Sequence, residues 1–168
     1  MAWIDLNGPV LADTVYDAGK LVAKDVTITL PAINLLTADF KAMGTLTLPI
    51  IGQIEAMEAT VNKVGTDMGL RSMASLDSRT LEFRWVQDVK KADGSTKTVG
   101  CKAFLRVVTK TIPGLSVDPG SQSENELGYA VSRYQLFVDG MEYWLIDQLN
   151  QILRVGGKDY YKQIRSLL

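Results

Sequence analysis

Alternation of apolar and polar residues is the feature that most limits what this 168-residue chain can fold into. Between Leu81 and Trp85 every second residue is large and apolar, and the residues between them are charged. The apolar positions resume after the turn sequence KKADGST and are Val99, Cys101, Ala103, Leu105 and Val107. A period of two is that of a β-strand with one buried face, and Asp-Gly is a strong signal for a hairpin turn. The sequence therefore predicts a long antiparallel hairpin that turns at Asp93-Gly94.

The first half of the chain carries the same signal in shorter stretches. Apolar and threonine residues alternate from Val26 to Leu30 and from Thr45 to Leu48, and a proline ends each run. Proline cannot donate a hydrogen bond within a sheet, so it is a natural end for a strand. The alternation in 51–61 is less regular. The residues expected to face the core there are Met57, Ala59 and Val61.

A second hairpin is predicted near the end of the chain. Bulky residues run from Tyr129 to Val138 and from Met141 to Ile146, and Asp139-Gly140 separates the two runs. Alternation along the first run places Val131 and Phe137 on one face. The residues that it places on the other face are Tyr134, Leu136 and Val138. The pattern therefore predicts that both faces of this hairpin are at least partly covered.

Two stretches are predicted to be loops. Residues 31–44 are rich in turn-forming and strand-breaking residues, so we interpret 31–48 as an extended loop. Residues 113–127 hold two prolines, two glycines and three serines, and they read as a second extended loop. Loops of this length within a compact domain are often functional.

Evidence for helices is confined to two short segments. In 65–78 either Thr66 or Asp67 could serve as an N-cap, because short polar side chains accept hydrogen bonds from the first turn of a helix. The apolar stripe of that helix would consist of Met68, Leu70, Met73 and Leu76. The segment 154–168 is interpreted as a C-terminal arm or a second short helix.

These elements predict a mainly β (α+β) fold. We expect residues 1–168 to form a single domain of two packed antiparallel sheets or a partly closed β-barrel, with one or two short helices. Length and composition agree, since 46% hydrophobic and 22% charged residues are typical of a chain with one good core.

The absence of histidine excludes most familiar catalytic designs. Without imidazole there is no Ser-His-Asp or Cys-His nucleophile pair and no zinc site that uses histidine. The single cysteine, Cys101, excludes an internal disulfide and is expected to be a small buried strand residue. Two acidic pairs, Glu55 with Glu58 and Glu124 with Glu126, are interpreted as solvated surface charge. We therefore expect no enzyme, no cofactor and no metal site.

Charge and hydropathy exclude two further classes of protein. The chain has 18 lysine and arginine residues against 19 aspartate and glutamate residues, so no net field draws it to nucleic acid. No apolar run approaches the roughly 20 residues of a membrane-spanning helix. We expect a protein that has no membrane anchor and is made in a cytoplasm.

The last part of the chain resembles the C-terminal block of a known family. The matching positions are Asp139, Gly140, Ile146, Asp147, Asn150, Ile152, Val155, Gly157 and Asp159. In order, they form an Asp-Gly turn, an apolar strand, an Ile-Asp-x-x-Asn motif, an apolar residue, Val-x-Gly and an acidic residue. This order resembles the major tail tube proteins of contractile phage tails and R-type bacteriocins.

Two earlier phrases extend the resemblance in collinear order. The first is similar to an early strand of the family and consists of Val22, Ala23, Lys24, Val26, Thr27, Leu30 and Pro31. The second is similar to a glycine-rich acidic loop and consists of Lys110, Ile112, Gly114, Gly120, Glu124 and Glu126. The chain departs from the family pattern in residues 1–10 and 49–78.

The resemblance implies a structural protein that assembles with itself. Hexameric rings would stack into a hollow tube inside a contractile sheath, and further partners would be a baseplate or initiator protein and a tail terminator. DNA would pass through the lumen without specific binding. The subunit would be made in the cytoplasm of a bacterial host and become part of a virion tail or a released tail-like particle. The alternative is a carbohydrate- or ligand-binding β-sandwich that uses Trp85, Trp144 and tyrosines as a platform.

Charge suggests where neighbouring subunits meet. The acidic residues of the second loop are Asp118, Glu124 and Glu126, and the basic residues of the tail are Arg154, Lys158, Lys162 and Arg165. We hypothesise that these opposite charges meet between subunits and set their register, since exposed ion pairs contribute only about 0–1 kcal/mol each. By resemblance, the segment 31–48 and the chain termini also contact neighbouring subunits.

Overall fold

The computed structural model describes residues 5–168, and most of these residues lie in β-strands. The strands are β1 (Leu6–Asp17), β2 (Lys20–Lys24), β3 (Thr27–Thr29), β4 (Leu35–Lys41), β5 (Thr45–Ile54), β6 (Met57–Val64), β7 (Arg79–Lys90), β8 (Thr96–Thr111), β9 (Glu124–Val138), β10 (Met141–Asp147), β11 (Ile152–Val155) and β12 (Lys158–Asp159). Two short helices, α1 (Met68–Met73) and α2 (Lys162–Ser166), complete the described elements. The N-terminus, one of the expected contact regions, begins in residues 1–4, which lie outside the described part of the chain.

The described strands form one ten-stranded sheet and a separate two-stranded sheet. The main sheet runs in the order β12-β11-β10-β9-β8-β7-β1-β2, while β6 pairs with β9 and carries β3. Neighbouring strands are antiparallel, and within 5–168 the sheets do not close into a barrel. The prediction of a mainly β fold with packed antiparallel sheets and one or two short helices is confirmed. The assignment of residues 1–168 to one domain stays a prediction.

One face of the main sheet holds the hydrophobic core. The largest fully buried side chains include Phe83, Leu105, Tyr129 and Ile146, which come from four different strands. The predicted core positions of β6 are confirmed: Met57, Ala59 and Val61 are all buried. Cys101 is buried with a free thiol, as the alternation of β8 predicts.

A β-bulge in β9 overturns one detail of the predicted pattern. Arg106 of β8 pairs with Arg133, and the next residue, Val107, pairs with Val131, so Ser132 is the extra residue of the longer strand. An extra residue reverses the alternation beyond it. Val131 therefore lies in the core together with Tyr134, and placing these two residues on opposite faces was wrong.

The two predicted hairpin turns form, and they differ in type. Asp139 and Gly140 have φ values of 51° and 78°, which is the two-residue turn whose twist matches that of the flanking strands. The turn between β7 and β8 is longer. There the backbone N–H of Lys91 donates to Ser95, and Gly94 has a φ of 84°.

The predicted helix in 65–78 is confirmed as α1, which is shorter than expected. The carboxylate of Asp67 caps it by accepting a hydrogen bond from the backbone N–H of Leu70 at 3.0 Å. The helix packs so closely on β2 that a Cβ added at Gly69 would lie 1.9 Å from the carbonyl oxygen of Val22. This contact centres the buried face on Leu70 and Met73. Including Met68 and Leu76 in the apolar stripe was wrong, because Met68 is the first residue of the helix, Leu76 lies beyond its end, and both are exposed.

The interpretation of 31–48 as an extended loop was wrong in its secondary structure. Residues Leu35–Lys41 form β4, which pairs with β5. The carboxylate of Asp39 accepts a hydrogen bond from the hydroxyl of Thr47 across the strand pair at 2.7 Å. The turn itself is shorter and lies at 42–44.

The other two irregular segments are also more ordered than the sequence suggests. The predicted loop 113–127 is confirmed up to residue 123, but Glu124 and Glu126 belong to β9, where Glu126 pairs with Asn62 of β6. The segment 154–168 is neither a simple arm nor one helix, since it contains the end of β11, then β12 and α2. Gly156 and Gly157 have φ values of 60° and 83° and connect β11 to β12 in two residues.

Candidate assembly surfaces

The β4–β5 hairpin exposes an unusually large number of apolar side chains for its length. Residues 41–51 are all exposed. The exposed large apolar side chains of the hairpin are Leu36, Phe40, Met43, Leu46, Leu48, Ile50 and Ile51. Asp39 and Lys41 are its charged residues. A contiguous apolar surface of this kind marks an interaction site.

The pairing of β4 with β5 divides the hairpin into two unlike faces. Phe40 lies opposite Leu46 and Ala38 lies opposite Leu48, so these residues share one face. The other face carries the polar pairs, namely Asp39 with Thr47 and Lys41 with Thr45. The hairpin is therefore amphipathic, with an apolar face that is uncovered in the isolated subunit.

The first half of β1 presents a second exposed surface. Residues Leu6–Ala12 pair with β7, whereas β2 pairs with β1 at Thr14–Asp17. Within residues 5–168, β2 thus leaves the outer edge of the first half of β1 uncovered. Leu6, Val10 and Leu11 are exposed along this edge. An uncovered strand edge offers backbone donors and acceptors to another strand.

The acidic residues singled out in the sequence lie on two parts of the surface. Glu124 and Glu126 line a concave pocket of about 440 Å³ together with Glu58 and Lys110. Lys110 forms an ion pair with Glu58 across the strands. Asp118 lies in the loop, where its carboxylate accepts a hydrogen bond from the hydroxyl of Ser121 at 3.3 Å. The structure therefore brings two of the three acidic residues together beside a basic one.

Two of the four basic tail residues have ion-pair partners within the subunit. Arg154 donates to Glu142 at 2.6 Å, and this hydrogen bond to the carboxylate raises the pKa of the Arg154 guanidinium. Arg165 donates to Asp159 at 2.9 Å, and this hydrogen bond holds the pKa of the Asp159 carboxyl below its ordinary value. Sequence reasoning missed the partner Glu142. The available signal was that Glu142 and Arg154 lie on the two paired strands of the β10–β11 hairpin, which brings their side chains close together.

The remaining two basic residues are exposed. The ammonium group of Lys158 lies 4.9 Å from the centre of the Tyr160 ring, which is a cation–π contact. Lys162 begins α2 and its side chain is exposed to solvent. These two lysines present the positive charge of the tail to the surroundings.

The Ile-Asp-x-x-Asn motif closes the turn between β10 and β11. Asp147 is 3% exposed, and its carboxylate accepts hydrogen bonds from the backbone N–H and the side-chain amide of Asn150 at 3.1 and 2.7 Å. Arg133 lies 3.7 Å from the same carboxylate, which compensates its buried charge. Ile146 packs in the core, and Val155 pairs with Trp144. The geometry of the motif is that of a structural turn.

The aromatic residues of the alternative binding platform pack inside the protein. Trp85 and Trp144 are partly buried against the core. Trp144 and Tyr134 meet edge to face at 5.9 Å between ring centres, and burial raises the pKa of the Tyr134 phenol to about 12. The concave pocket beside Glu124 has no tryptophan in its lining. This arrangement favours core packing over a carbohydrate platform.

No group of three or more potential metal-ligating side chains occurs among residues 5–168. In the same range, no helix has the length and apolar character needed to cross a membrane.

Comparison with known proteins identifies the family. A search of curated proteins finds no match. A family model described as phage tail tube protein FII matches residues 12–168, which confirms the resemblance first seen in the C-terminal block. The match begins just after residues 1–10, where the chain departs from the family pattern. The chain belongs to the phage tail tube protein FII family, a structural family whose members build the tube of a phage tail.

Proposed function

We propose that the chain forms hexameric rings that stack into the inner tube of a contractile tail, within a sheath. The observation that carries this proposal is the apolar face of the β4–β5 hairpin, around Phe40 and Leu46. Such a face is unfavourable on a subunit in water and becomes favourable when a second copy covers it. The hairpin is the contact to the neighbouring copy.

Two kinds of contact are needed to build a tube from one subunit. A head-to-tail contact that closes by rotation gives a ring, and a contact along the axis repeats without closing. We assign the ring contact to strand edges such as the first half of β1, because an added strand satisfies exposed backbone groups. We assign the contact between rings to the β4–β5 hairpin.

Further partners follow from this role. The outside of the tube contacts the sheath protein, and its two ends contact a baseplate or initiator protein and a terminator. DNA passes through the lumen of a phage tube without specific binding, whereas a bacteriocin tube is free of DNA. The subunit is made in the cytoplasm of its bacterial host and becomes part of the tail.

Complementary charge sets the register between subunits. The acidic side of this contact consists of Asp118, Glu124 and Glu126, and the basic side consists of Arg154, Lys158, Lys162 and Arg165. The exposed lysines supply most of the attraction, since Arg154 and Arg165 are already engaged within the subunit. Exposed pairs contribute mainly to orientation and to the rate of association.

Reversing two acidic charges is expected to slow assembly at low salt. In the variant Glu124→Lys with Glu126→Lys, lysines would face the basic tail of the neighbour. We expect the initial rate of tube formation, followed by light scattering, to fall roughly tenfold at low ionic strength because like charges repel. The deficit should shrink near 1 M salt, where the Debye length is about 3 Å.

The matched control reverses two exposed carboxylates elsewhere, in the variant Glu55→Lys with Asp77→Lys. It changes the net charge by the same amount and is expected to assemble at the wild-type rate. Normal assembly of the Glu124 and Glu126 variant at low and moderate salt would remove the charge contact from the proposal.

Direct imaging of the purified protein tests the proposed function as a whole. We expect size-exclusion chromatography to show species far larger than the 18.5 kDa subunit, and negative-stain electron microscopy to show rings or tubes with six subunits per turn. A chain that remains monomeric at every protein and salt concentration, also after addition of preformed tube ends, would refute the proposal.

A further inference from the structure

The β4–β5 hairpin has a pronounced irregularity at its base. Leu35 pairs with Ile54, and the next pair along the strands is Thr37 with Pro49. Residues 50–53 therefore lie opposite Leu36 alone, so β5 bulges away from β4 at this point. Large bulges bend a strand and change the direction of the residues beyond them. The direction of the hairpin is decided here.

An aromatic ring from the C-terminal segment sits directly in this bulge. A Cβ built on Gly52 would lie 2.0 Å from Cε2 and 2.3 Å from Cδ2 of Tyr161, so the ring rests against the α-carbon of the glycine. Gly52 also has a φ of +87°, which favours glycine. Two independent features of this position thus require a residue without a side chain. Tyr161 itself is partly buried against the core.

The tyrosine is held in place by its neighbours in sequence. The carboxylate of Asp159 accepts a hydrogen bond from the backbone N–H of Tyr161 at 3.0 Å and another from Arg165 at 2.9 Å. Arg165 also donates to the carbonyl oxygen of Gln151 at 2.7 Å, in the turn between β10 and β11. These bonds tie the segment 159–165 to the body of the protein.

The same turn makes a second contact with the base of the hairpin. The side-chain amide of Gln148 lies 3.4 Å from the carbonyl oxygen of Ile54. Together with Tyr161 it borders a cleft whose other wall is Gly52, Gln53 and Ile54. The hairpin base therefore rests on the C-terminal segment.

We propose that Tyr161 is a wedge that fixes the direction of the β4–β5 hairpin, so that its apolar face points toward the next subunit. This inference rests on the proposed role of the hairpin in assembly. Tyr161 is a positioning residue: it acts through the backbone at Gly52. A neighbouring subunit bound to the C-terminal segment therefore also stabilises the hairpin in the orientation that is needed for assembly.

Distances between spin labels test the wedge directly. The labels are placed on the variant Met43→Cys at the hairpin tip and Ser95→Cys at the β7–β8 turn, in a Cys101→Ala background. In the monomeric protein we expect a narrow distance distribution. Replacing Tyr161→Ala should make it at least twofold wider or shift its centre, whereas Tyr161→Phe should leave it unchanged because the ring is retained.

A neighbouring tyrosine provides the matched control. Tyr160 is exposed and lies outside the bulge, so Tyr160→Ala should keep the wild-type distribution. Gly52→Ala should widen it as Tyr161→Ala does, since the added methyl group expels the ring while the tyrosine remains. If Tyr161→Ala fails to fold, Tyr161→Leu and Gly52→Ala give the same information. A distribution with both the width and the centre of wild type, in the folded variants that lack the contact, would overturn the wedge.

Assembly assays on the same proteins separate this inference from the proposed function. A hairpin whose apolar face is made charged, as in Phe40→Asp with Leu48→Lys, should fail to assemble and yet keep the narrow distribution. If that variant assembles normally, the proposed role of the hairpin fails, while the spin-label distances still decide whether the wedge exists. If both stand, Tyr161→Ala should raise the critical concentration for assembly at least fivefold.

Discussion

The variant Phe40→Asp with Leu48→Lys is expected to remain folded and to lose tube assembly. The two residues share the apolar face of the β4–β5 hairpin and are diagonal neighbours, so the introduced charges attract each other in the free subunit. In the assembled tube they would be covered without adequate partners, at a cost of several kcal/mol. Since each 1.4 kcal/mol is a factor of ten, we expect the critical concentration to rise on the order of 100-fold or more.

The control for this variant changes the opposite face of the same hairpin. In Thr45→Asp with Thr47→Lys the new carboxylate lies opposite Lys41 and the new ammonium group lies opposite Asp39. Net charge is unchanged in both variants. Pelleting assays over a range of concentrations should show assembly of the control close to wild type. Equal loss in both variants would show that charge on the hairpin, rather than cover of its apolar face, decides assembly.

The substitution Arg79→Met is expected to lower the free energy of unfolding strongly. Among single substitutions of residues away from the surface by side chains of similar length, we expect it to have the largest effect. The guanidinium group of Arg79 donates to backbone carbonyl groups at the end of α1 and in the residues that follow it. It donates to Met73 and Ser75 at 2.5 Å each and to Asp77 at 3.0 Å. Its Nε lies 3.3 Å from the mostly buried carboxylate of Asp17.

Removing this group leaves the Asp17 carboxylate and the Asp77 carbonyl oxygen without this partner. The carbonyl oxygens of Met73 and Ser75 keep only the hydroxyl groups of Tyr129 and Thr109. Breaking a buried ion pair from one side typically costs about 3–5 kcal/mol, so we expect the free energy of unfolding to fall by roughly 3 kcal/mol. Lysine should restore little, because a single ammonium group cannot reach all the carbonyl groups that the planar guanidinium reaches. Urea denaturation of the unassembled subunit measures the change.

The exposed Arg71 supplies the comparison. It lies in the last turn of α1, and Arg71→Met should change the free energy of unfolding by no more than about 0.5 kcal/mol, as is usual for surface positions. A loss below about 1 kcal/mol for Arg79→Met would mean that Tyr129 and Thr109 hold the same carbonyl groups well enough without it. Both residues donate to that segment, at 2.9 and 2.6 Å.

The sequence predicts those strands that have one buried and one solvated face. The alternation of Met57, Ala59 and Val61 is visible because water and core select different residues at successive positions. The bulge at Ser132 is not visible in this way. It lies between the half of β9 that pairs with β6 and the half that pairs with β10, so its position depends on contacts between distant parts of the chain.

The assembly surfaces were harder to predict, for two physical reasons. The uncovered face of the β4–β5 hairpin, which we propose a second copy covers, resembles a buried face in sequence, because the centre of an interface between identical subunits is more apolar than the rest of the surface. Tyr161 contacts Gly52, and Arg79 contacts residues 73–77. Both contacts depend on how the whole backbone folds, and no local sequence pattern indicates them. Resemblance to the family did indicate the segment 31–48 as a contact region, although it gave no sign of the hairpin's structure.

The strand β9 has a mechanical consequence for a subunit under load. It pairs with β8 from Gly128 to Val138 on one side, and with both β6 and β10 on the other. Within the main sheet, tension between β8 and β10 therefore passes through this one strand. The hydrogen bonds of β9 are roughly perpendicular to the strand. A force along the strand therefore loads all of them at once, and they do not break one after another. In the tube proposed above, we expect β9 to keep each subunit from separating between β8 and β10 under tension.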